Sequence, residues 1–393
     1  MLSDDYVIVR MDGARDVLGG AASVGAGAPV SAETHTLSAG DLADVSRDPN
    51  VLGVAKKMPV ALVTPFEADA ADEAGAAAAG LAWGLEAVGA VGSPRTGAGV
   101  TVAILDTGID AGHEAFRGTT IVQQDFTGEG DGDGNGHGTH CAGTVFGGEV
   151  GGLRIGVAPG VERALIGKVL DRDGSGSTEQ ILDALLWAAR EGANVISMSL
   201  GLDFPGLVRR LVDSGRSVEE ATSIALEAYR QNVRLFDGVA TLIRAHSAMF
   251  SRTIVVAAAG NESRRPQFEI TTAPPAAADG FISVGALGHT TSPTQNLTVA
   301  SFSNSGPALA APGVAIASAR VGGGLRTLNG TSMATPHVAG VAALWMESIL
   351  ADNPLFHINE LEGTLTGRAA KNVFAAGVDP GDRGAGLVQS PQN

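Results

Sequence analysis

Short apolar runs rich in β-branched residues recur along the chain, and several of them end at a glycine or a polar residue. Residues 100–105 lead directly into Asp106, and residues 253–259 lead into Gly260 and Asn261. Such runs indicate buried parallel strands, and open α/β sheets place their chemistry at the carboxyl ends of strands. The pattern therefore predicts an α/β fold with polar groups at one edge of its sheet.

Helical spacing follows in two places. A run of small residues begins after Gly330, which is expected to allow a sharp turn, and it places Ser332 in a first helical turn where backbone N–H groups are free. Residues 203–213 predict a short helix, and residues 217–220 have the spacing of a capping box that opens a long apolar pattern. Residues 203–250 therefore predict a helical insertion, roughly twice as long as one helix and its connection require.

The N-terminal part of the chain has a different pattern. Residues 5–11 alternate like a strand, residues 38–48 predict a short helix, and residues 51–63 could supply two further strands. Residues 66–82 are rich in Ala, Gly, Asp and Glu, which is typical of a linker. We therefore predict a small α+β domain at residues 1–65, a linker at 66–82 and a large domain at 83–393.

Three residues in this pattern could act together. Ser332 could be a nucleophile whose oxyanion meets its own N–H, although an isolated Gly-Thr-Ser is more often a helix cap. Asp106 could present a carboxylate, and His137 lies between glycines ahead of a predicted helix. Each residue has an ordinary structural interpretation alone, but Asp, His, Ser is one of the known chain orders of hydrolytic triads.

The three segments resemble the signatures of the subtilisin-like serine proteases, or subtilases: Asp106-Thr107-Gly108, His137-Gly138-Thr139-His140 and Gly330-Thr331-Ser332-Met333-Ala334. The resemblance covers about residues 83–390. It implies a three-layer α/β/α fold with a mostly parallel central sheet. It also implies a serine endopeptidase that hydrolyses polypeptides, in which Asp106 orients His137, His137 is the general base and Ser332 forms an acyl-enzyme. This chemistry needs no cofactor; structural calcium, common in the family, stays open, and the sequence does not locate a metal site.

The resemblance also assigns residues around the triad. Asn261 matches the residue that donates a side-chain N–H to the oxyanion. Two strand edges would pair with the substrate backbone, and residues 258–260 would wall the primary pocket. The substrate-binding residues implied in this way are Gly174, Ser175, Gly176, Ser199, Leu200, Gly201, Ala258, Ala259 and Gly260. Glu262 could lie at the pocket mouth or be a solvated surface residue.

The N-terminal domain resembles a reduced form of the inhibitory propeptide that precedes many subtilases. The hypothesis is that residues 1–65 act as chaperone and intramolecular inhibitor, with residues 60–66 in the substrate groove. Self-cleavage would then fall between about residues 63 and 80. The insertion at residues 203–250 has two interpretations, a surface helical hairpin without function or a lid or partner-docking element beside the substrate edge at Ser199.

Composition and charge narrow the function classes. The net charge of −16 argues against nucleic acid and anionic membrane surfaces as partners. No apolar run is long enough for a membrane span. Residues 1–5 lack the basic and apolar parts of a signal peptide, so secretion, which is typical of the family, and a cytoplasmic location both stay open.

Two motifs suggest other chemistry. The single cysteine, Cys141, rules out an intramolecular disulfide and is interpreted as a small core thiol rather than a metal ligand or nucleophile. Residues 131–136 match the first half of an EF-hand loop, but Ala142 stands where a bidentate Glu is required. We therefore interpret that segment as an acidic, flexible approach to His137.

Three other classes of protein share some of these features. A sedolisin-type acid protease shares the Gly-Thr-Ser motif but uses a Glu-centred site, which the setting of His137 argues against. A pseudoprotease should lack a triad residue, and none is missing. A permanently self-inhibited peptide-binding module stays open.

Overall fold

The structure is a computed structural model that describes residues 4–11, 30–67, 81–247, 252–290 and 292–392. Its strands are β1 (Asp4–Met11), β2 (Val30–Leu37), β3 (Val51–Lys56), β4 (Pro59–Leu62), β5 (Phe66–Glu67), β6 (Thr101–Asp106), β7 (Thr120–Asp125), β8 (Glu149–Val150), β9 (Leu153–Arg154), β10 (Arg163–Lys168), β11 (Ser175–Ser177), β12 (Val195–Met198), β13 (Leu200–Leu202), β14 (Ile254–Ala258), β15 (Phe281–Gly288), β16 (Thr298–Val299), β17 (Leu309–Pro312), β18 (Ile316–Ala319) and β19 (Leu325–Asn329). Its α-helices are α1 (Ala39–Val45), α2 (Trp83–Ala87), α3 (His137–Phe146), α4 (Thr178–Arg190), α5 (Phe204–Asp213), α6 (Val218–Ser247), α7 (Thr331–Asp352), α8 (Ile358–Gly367) and α9 (Pro380–Arg383).

The N-terminal part forms a small antiparallel sheet in the order β2–β1–β3, with helix α1 between β2 and β3. Helix α1 begins after Ser38, whose side chain and that of Asp41 form a capping box. Strand β2 was not predicted from the sequence, because its Ser, Glu, Thr and His side chains leave few apolar positions. Residues 12–29 lie outside the described residues.

Eight strands of the described chain form the central sheet, in the order β16–β15–β14–β12–β6–β10–β7 with β17 also pairing with β15. All pairings are parallel except that of β16. Side chains of β6 alternate between two buried cores. Val102 and Ile104 pack with α3 and α7 on one face, and Ala103 and Leu105 pack with α4 and α6 on the other. The predicted three-layer α/β/α fold is therefore confirmed.

Helices α5 and α6 occupy the segment that the sequence marks as an insertion. Asp203 caps α5 by accepting the Gly206 N–H, and Ser217 accepts the Glu220 N–H before α6. One face of α6 is buried, through Ala221, Ala225, Ala228, Leu235, Phe236, Val239, Ala240 and Ile243. This face contacts β3 of the N-terminal sheet as well as the central domain. No helix in the described part of the chain is long and apolar enough to cross a membrane.

The predicted linker at residues 66–82 differs from the structure at its start. Phe66 and Glu67 form strand β5, which pairs antiparallel with Leu328 and Asn329 of β19. The free edge of β19 supplies the hydrogen-bonding groups for this pairing, and the Phe66 ring packs on that of Phe302. The linker-like composition of the segment does not reveal either contact. Residues 68–80 lie outside the described residues.

Candidate active site

The carboxylate of Asp106 and the ring of His137 form a buried pair at the carboxyl edge of the central sheet. His137 Nδ1 lies 2.8 Å from Asp106 Oδ1, which also accepts the Thr107 backbone N–H at 2.7 Å. Burial disfavours the charged imidazolium, but the Asp106 carboxylate and the neighbouring Cys141 together raise the pKa of His137 well above its usual value. This geometry favours a proton on Nδ1 and leaves Nε2 as the ring nitrogen that can accept a further proton.

Two glycines allow this close approach. Gly136 stands immediately before α3 with a φ of 97°, in the left-handed region that favours glycine. A Cβ on Gly138 would lie 2.2 Å from the carbonyl oxygen of Gly108. Any side chain at Gly138 would therefore push α3 away from the end of β6 and separate His137 from Asp106.

Asp133 joins the loop after β6 to the first turn of α3. Its carboxylate accepts hydrogen bonds from Thr107 Oγ1 at 2.8 Å, from Thr139 Oγ1 at 2.7 Å and from the backbone N–H groups of Gly136 and Thr139 at 2.7 and 2.9 Å. Thr107 Oγ1 in turn accepts the Gly138 N–H at 2.9 Å. Sequence reasoning missed this role, for which the available signal is an acid just ahead of a helix with free N–H groups.

Ser332 lies fully buried in the first turn of α7. Its Oγ donates a hydrogen bond to the carbonyl oxygen of Val63 at 2.8 Å. His137 Nε2 has no hydrogen-bond partner among the described residues. The hydroxyl proton that His137 would accept is therefore directed to a carbonyl of the N-terminal segment.

Gly330 allows the chain to bend between β19 and α7, and its small size also matters. Its φ of 168° is extended backbone that any residue can adopt, so the bend does not depend on a left-handed conformation. A Cβ there would lie 3.1 Å from Asn261 Nδ2 and 3.6 Å from Pro65 Cα. A side chain at this position would therefore crowd both the amide donor and the peptide in the cleft.

Pro336 leaves one carbonyl of α7 without its usual helical hydrogen bond. A proline has no N–H, so the carbonyl of Ser332 has no partner in the next helical turn. That carbonyl accepts hydrogen bonds from Ser199 Oγ at 3.1 Å and from Cys141 Sγ at 3.5 Å. The carbonyl freed by Pro336 thus ties Ser332 to two other elements.

The thiol of Cys141 lies next to the Asp106–His137 pair, with Sγ 3.7 Å from His137 Nδ1. Burial raises the pKa of this thiol, which keeps it neutral at physiological pH. Asp106, His137 and Cys141 form the one group of three or more potential metal-binding His, Cys, Asp or Glu side chains within the described ranges. Its imidazole and thiol are poor calcium ligands, so this group gives no location for the structural calcium that the sequence left open.

Asn261 follows β14 and directs its amide into the cleft. Its Nδ2 donates to the carbonyl oxygen of Thr64 at 3.0 Å. Its Oδ1 accepts the backbone N–H and the hydroxyl of Thr331, both at 2.9 Å, which fixes the orientation of the amide. A preorganised donor of this kind can stabilise negative charge on a substrate oxygen.

The two predicted substrate edges receive an extended segment of the chain itself. Strand β4 lies between β11 and β13 and pairs antiparallel with both. The backbone N–H of Leu62 donates to Gly174 O at 2.8 Å, and that of Val63 to Ser199 O at 3.4 Å. Of the predicted edge residues, Ser175, Gly176, Leu200 and Gly201 face β4 in register, and Ser177 and Leu202 extend the two pairings.

The residues predicted to wall the primary pocket lie at the end of β14. Ala258 and Ala259 are buried, and Gly260 N–H donates to Thr331 Oγ1 at 3.2 Å. Their role as a pocket wall stays a prediction. Glu262 is exposed and accepts a hydrogen bond from Asn304 Nδ2 at 2.6 Å.

Comparison with known proteins agrees with this geometry. The model of the subtilase family matches residues 97–381, which is well over half of the chain. The chain is 35% identical to an M-protease of Shouchella clausii over 310 residues, which cover 75% of this chain and 67% of that protein. It is 34% identical to subtilisin Savinase of Lederbergia lenta, with 75% and 95% covered.

A fungal relative is similar over a smaller share of its length. Subtilisin-like protease 6 of Trichophyton rubrum is 34% identical over 283 residues, which cover 66% of this chain and 57% of the fungal protein. The region matched by the family model, residues 97–381, includes the central sheet, the buried Asp106–His137 pair and the helix that carries Ser332. The chain therefore belongs to the subtilase family of serine endopeptidases.

Proposed function

We propose that the chain hydrolyses peptide bonds through Asp106, His137 and Ser332, with Asn261 as a donor to the oxyanion. The observation that carries the proposal is the arrangement around one extended peptide. The hydroxyl of Ser332 and the amide of Asn261 both donate to carbonyl oxygens of that peptide, beside the buried Asp106–His137 pair.

The proposed reaction follows from these positions. Ser332 Oγ attacks the carbonyl carbon of the scissile bond while His137 Nε2 takes its proton. Asp106 stabilises the imidazolium, and the oxygen that becomes negative is held by the Asn261 amide. His137 then protonates the leaving amine, and water hydrolyses the acyl-enzyme by the reverse sequence of proton transfers.

The substrates proposed are extended polypeptides of varied sequence. Strands β11 and β13 bind the backbone of β4 by hydrogen bonds, which depend little on the identity of the side chains. The catalytic step uses side chains of this chain alone, and subtilases need no cofactor for catalysis. A structural calcium ion stays a prediction without a located site.

We also propose that residues 1–65 are an intramolecular inhibitor that self-cleavage removes, between about residues 63 and 80. Strand β4 lies between the two predicted substrate edges, and Val63 O accepts the hydrogen bond of the Ser332 hydroxyl. Ser332 and Asn261 contact successive carbonyls, those of Val63 and Thr64, whereas attack requires both groups at one carbonyl. This offset supports an inhibitory arrangement of the intact chain.

Labelling with a fluorophosphonate probe tests the catalytic proposal. The probe should modify the processed wild-type protein and should not modify Ser332→Ala. Absence of Ser332-dependent labelling after the N-terminal domain has been removed would favour the self-inhibited peptide-binding module.

Incubation of the purified full-length chain, followed by N-terminal sequencing, tests self-cleavage. We expect a new N-terminus within residues 64–81 for the wild type and an intact chain for Ser332→Ala. A wild-type chain that is fully active while unprocessed would contradict the inhibitor proposal but not the catalytic one.

A further inference from the structure

The cleft continues beyond the triad as a second strand pairing. Strand β5 follows β4 after Val63, Thr64 and Pro65, and it pairs antiparallel with the edge of β19. Asn329 Nδ2 donates to Glu67 O at 3.1 Å, while its Oδ1 accepts the Ala315 N–H at 2.6 Å. The leaving-group side of the cleft is thus a preformed edge that holds an extended peptide in register.

The side chain of Phe66 has a defined site on this edge. The Phe66 ring makes two contacts. Its centroid lies 5.1 Å from the centroid of the Phe302 ring and 5.7 Å from the guanidinium carbon of Arg264. Arg264 is oriented by hydrogen bonds from Nη1 to Asn261 O at 2.9 Å and to Ser263 O at 2.7 Å. A cation oriented in this way favours an aromatic ring over an aliphatic side chain of similar size.

The site has room for a larger ring. A cavity of about 370 Å³ adjoins Phe66 and is lined in part by Phe302, His289, Thr298 and Val314. Tyrosine or tryptophan could therefore take the place of Phe66 without displacing β19.

The next residue, Glu67, meets positive charge. Its carboxylate forms an ion pair with Arg326 of β19. In a chain of net charge −16, two arginines at one end of the cleft make a local exception that disfavours a basic residue there. Both partners of this pair are partly exposed, so we expect a modest preference rather than a strict requirement.

We propose that Arg264 and Arg326 make the enzyme select an aromatic residue at the second position after the cleaved bond and an acidic residue at the third. The positions are counted from the carbonyl that Asn261 contacts, because that donor and the β19 edge set the register on the leaving-group side. The proposal rests on the proposed peptidase function and gives it a substrate class.

Internally quenched peptides test this selection. A parent peptide Leu-Val-Thr-Ala-Phe-Glu, with Leu-Val-Thr copied from residues 62–64 and the expected cleavage after Thr, is compared with peptides that carry Ala for Phe or Lys for Glu. The full-length protein is first incubated until its N-terminus no longer changes, and mass spectrometry locates the cleaved bond. We expect kcat/KM to fall about tenfold for Ala and about two- to fivefold for Lys.

The arginine variants assign the selection to its residues. Arg264→Ala should reduce the Phe-to-Ala ratio of kcat/KM by about two- to fivefold, and Arg326→Ala should remove the Glu-to-Lys preference. Ratios within one variant cancel changes in overall activity. Arg320→Ala is the matched control, since Arg320 is an exposed arginine whose Nε donates to Gly323 O in the turn before β19.

The outcomes separate the two proposals. No cleavage of any peptide by the wild type would overturn the peptidase function and this inference with it. Cleavage of all peptides at equal rates would overturn the selection alone. Ratios in Arg264→Ala and Arg326→Ala that match those of Arg320→Ala would show that the arginines do not determine it.

Discussion

The two atoms of the Asn261 amide make different contacts, and a substitution that replaces one atom can separate their effects. Nδ2 donates into the cleft, whereas Oδ1 holds Thr331. Asn261→Asp removes the donor and keeps the acceptor, so α7 should stay in place. We expect kcat to fall by at least about 10²–10³ with a small change in KM, the size of loss found when a subtilisin loses its oxyanion amide.

Thr331→Val is the matched comparison for Asn261→Asp. It removes one hydroxyl that orients the amide but leaves the Nδ2 donor and the backbone N–H of residue 331. Its loss in kcat should be smaller. A larger loss in Thr331→Val than in Asn261→Asp would mean that the packing of α7, rather than the donor, controls the rate.

If His137 is the general base, its pKa sets the pH dependence of hydrolysis. Asp106 raises this pKa above its ordinary value, and His137 can accept a proton only when the pH is above that pKa. We expect kcat/KM to rise with pH and to be lost as pH falls through the pKa of His137. Asp106→Asn should shift this acid limb to lower pH and cost about 10⁴ in kcat, because the imidazole loses its orientation and its counter-charge.

A pH–rate profile of the processed enzyme with a short peptide anilide measures both effects. Cys141→Ala serves as the control, because it removes the neighbouring thiol and leaves the Asp106–His137 pair intact. An acid limb that stays at the same pH in Asp106→Asn would contradict the assignment of that limb to His137.

At the scale of elements, α6 provides a docking surface for the N-terminal sheet. Gln231 Oε1 accepts the Lys56 N–H at 2.9 Å, and Asn232 Nδ2 donates to Lys56 O at 2.8 Å. Asn232 is fully buried, and its Oδ1 also accepts Thr178 Oγ1 at 3.0 Å. These contacts supply hydrogen-bond partners for the backbone of Lys56 at the outer edge of β3. They favour the interpretation of the insertion as a docking element, with the chain's own N-terminal sheet as the partner.

Asn232→Leu tests that docking. The variant leaves the Lys56 carbonyl and the Thr178 hydroxyl without this partner at a buried interface, at a cost of about 1–3 kcal/mol. The N-terminal segment should therefore dissociate after cleavage about 10- to 100-fold faster, seen as earlier appearance of activity. Arg230→Ala, on the exposed face of the same helix, should behave as the wild type. Unchanged release in Asn232→Leu would show that the rest of the interface suffices.

The parts of the site that sequence reasoning identified depend on short-range patterns. Asp106, His137 and Ser332 each stand in a motif of a few residues at the end of a strand or the start of a helix, and the glycines around them report tight packing. The predicted parallel strands were recognisable because both faces are buried and their residues are almost all apolar.

The parts that it missed depend on contacts between distant segments. Strand β5 forms only because β19 offers a free edge, and nothing in residues 66–67 encodes that edge. Asp133 looks like a member of an acidic loop until its five hydrogen-bond donors are placed around it. The offset between the Val63 and Thr64 carbonyls is likewise a property of the folded cleft rather than of the local sequence.

At the scale of the whole molecule, the interface between the N-terminal sheet and α4 carries several ionisable groups. Asp183 is half-buried there and accepts the Ala32 backbone N–H, with Glu179 on its own helix, Glu33 on β2 and Arg190 nearby. Burial, with the charges of Glu179 and Glu33, raises the pKa of Asp183 to about 6. Removal of β2 would take away Glu33 and much of this burial, so the pKa of Asp183 should return towards its ordinary value.

This shift predicts that the N-terminal domain is held more tightly at acidic pH. The docked state favours protonated Asp183, so docking is strongest below about pH 4, weakens as pH rises towards 6 and is weakest above it. A shift of about two pKa units corresponds to about a 100-fold change in the affinity of docking. We expect a change of about tenfold, because the carboxyl is partly exposed.

Protein cleaved at one pH is incubated at pH 5 to 8 and assayed at a common pH, so that His137 titration does not contribute. Activity should appear faster at pH 8, and Asp183→Asn should flatten this dependence, whereas Glu191→Gln, at the end of α4 and paired with Arg163, should keep it. A pH dependence that survives in Asp183→Asn would assign the effect to other groups.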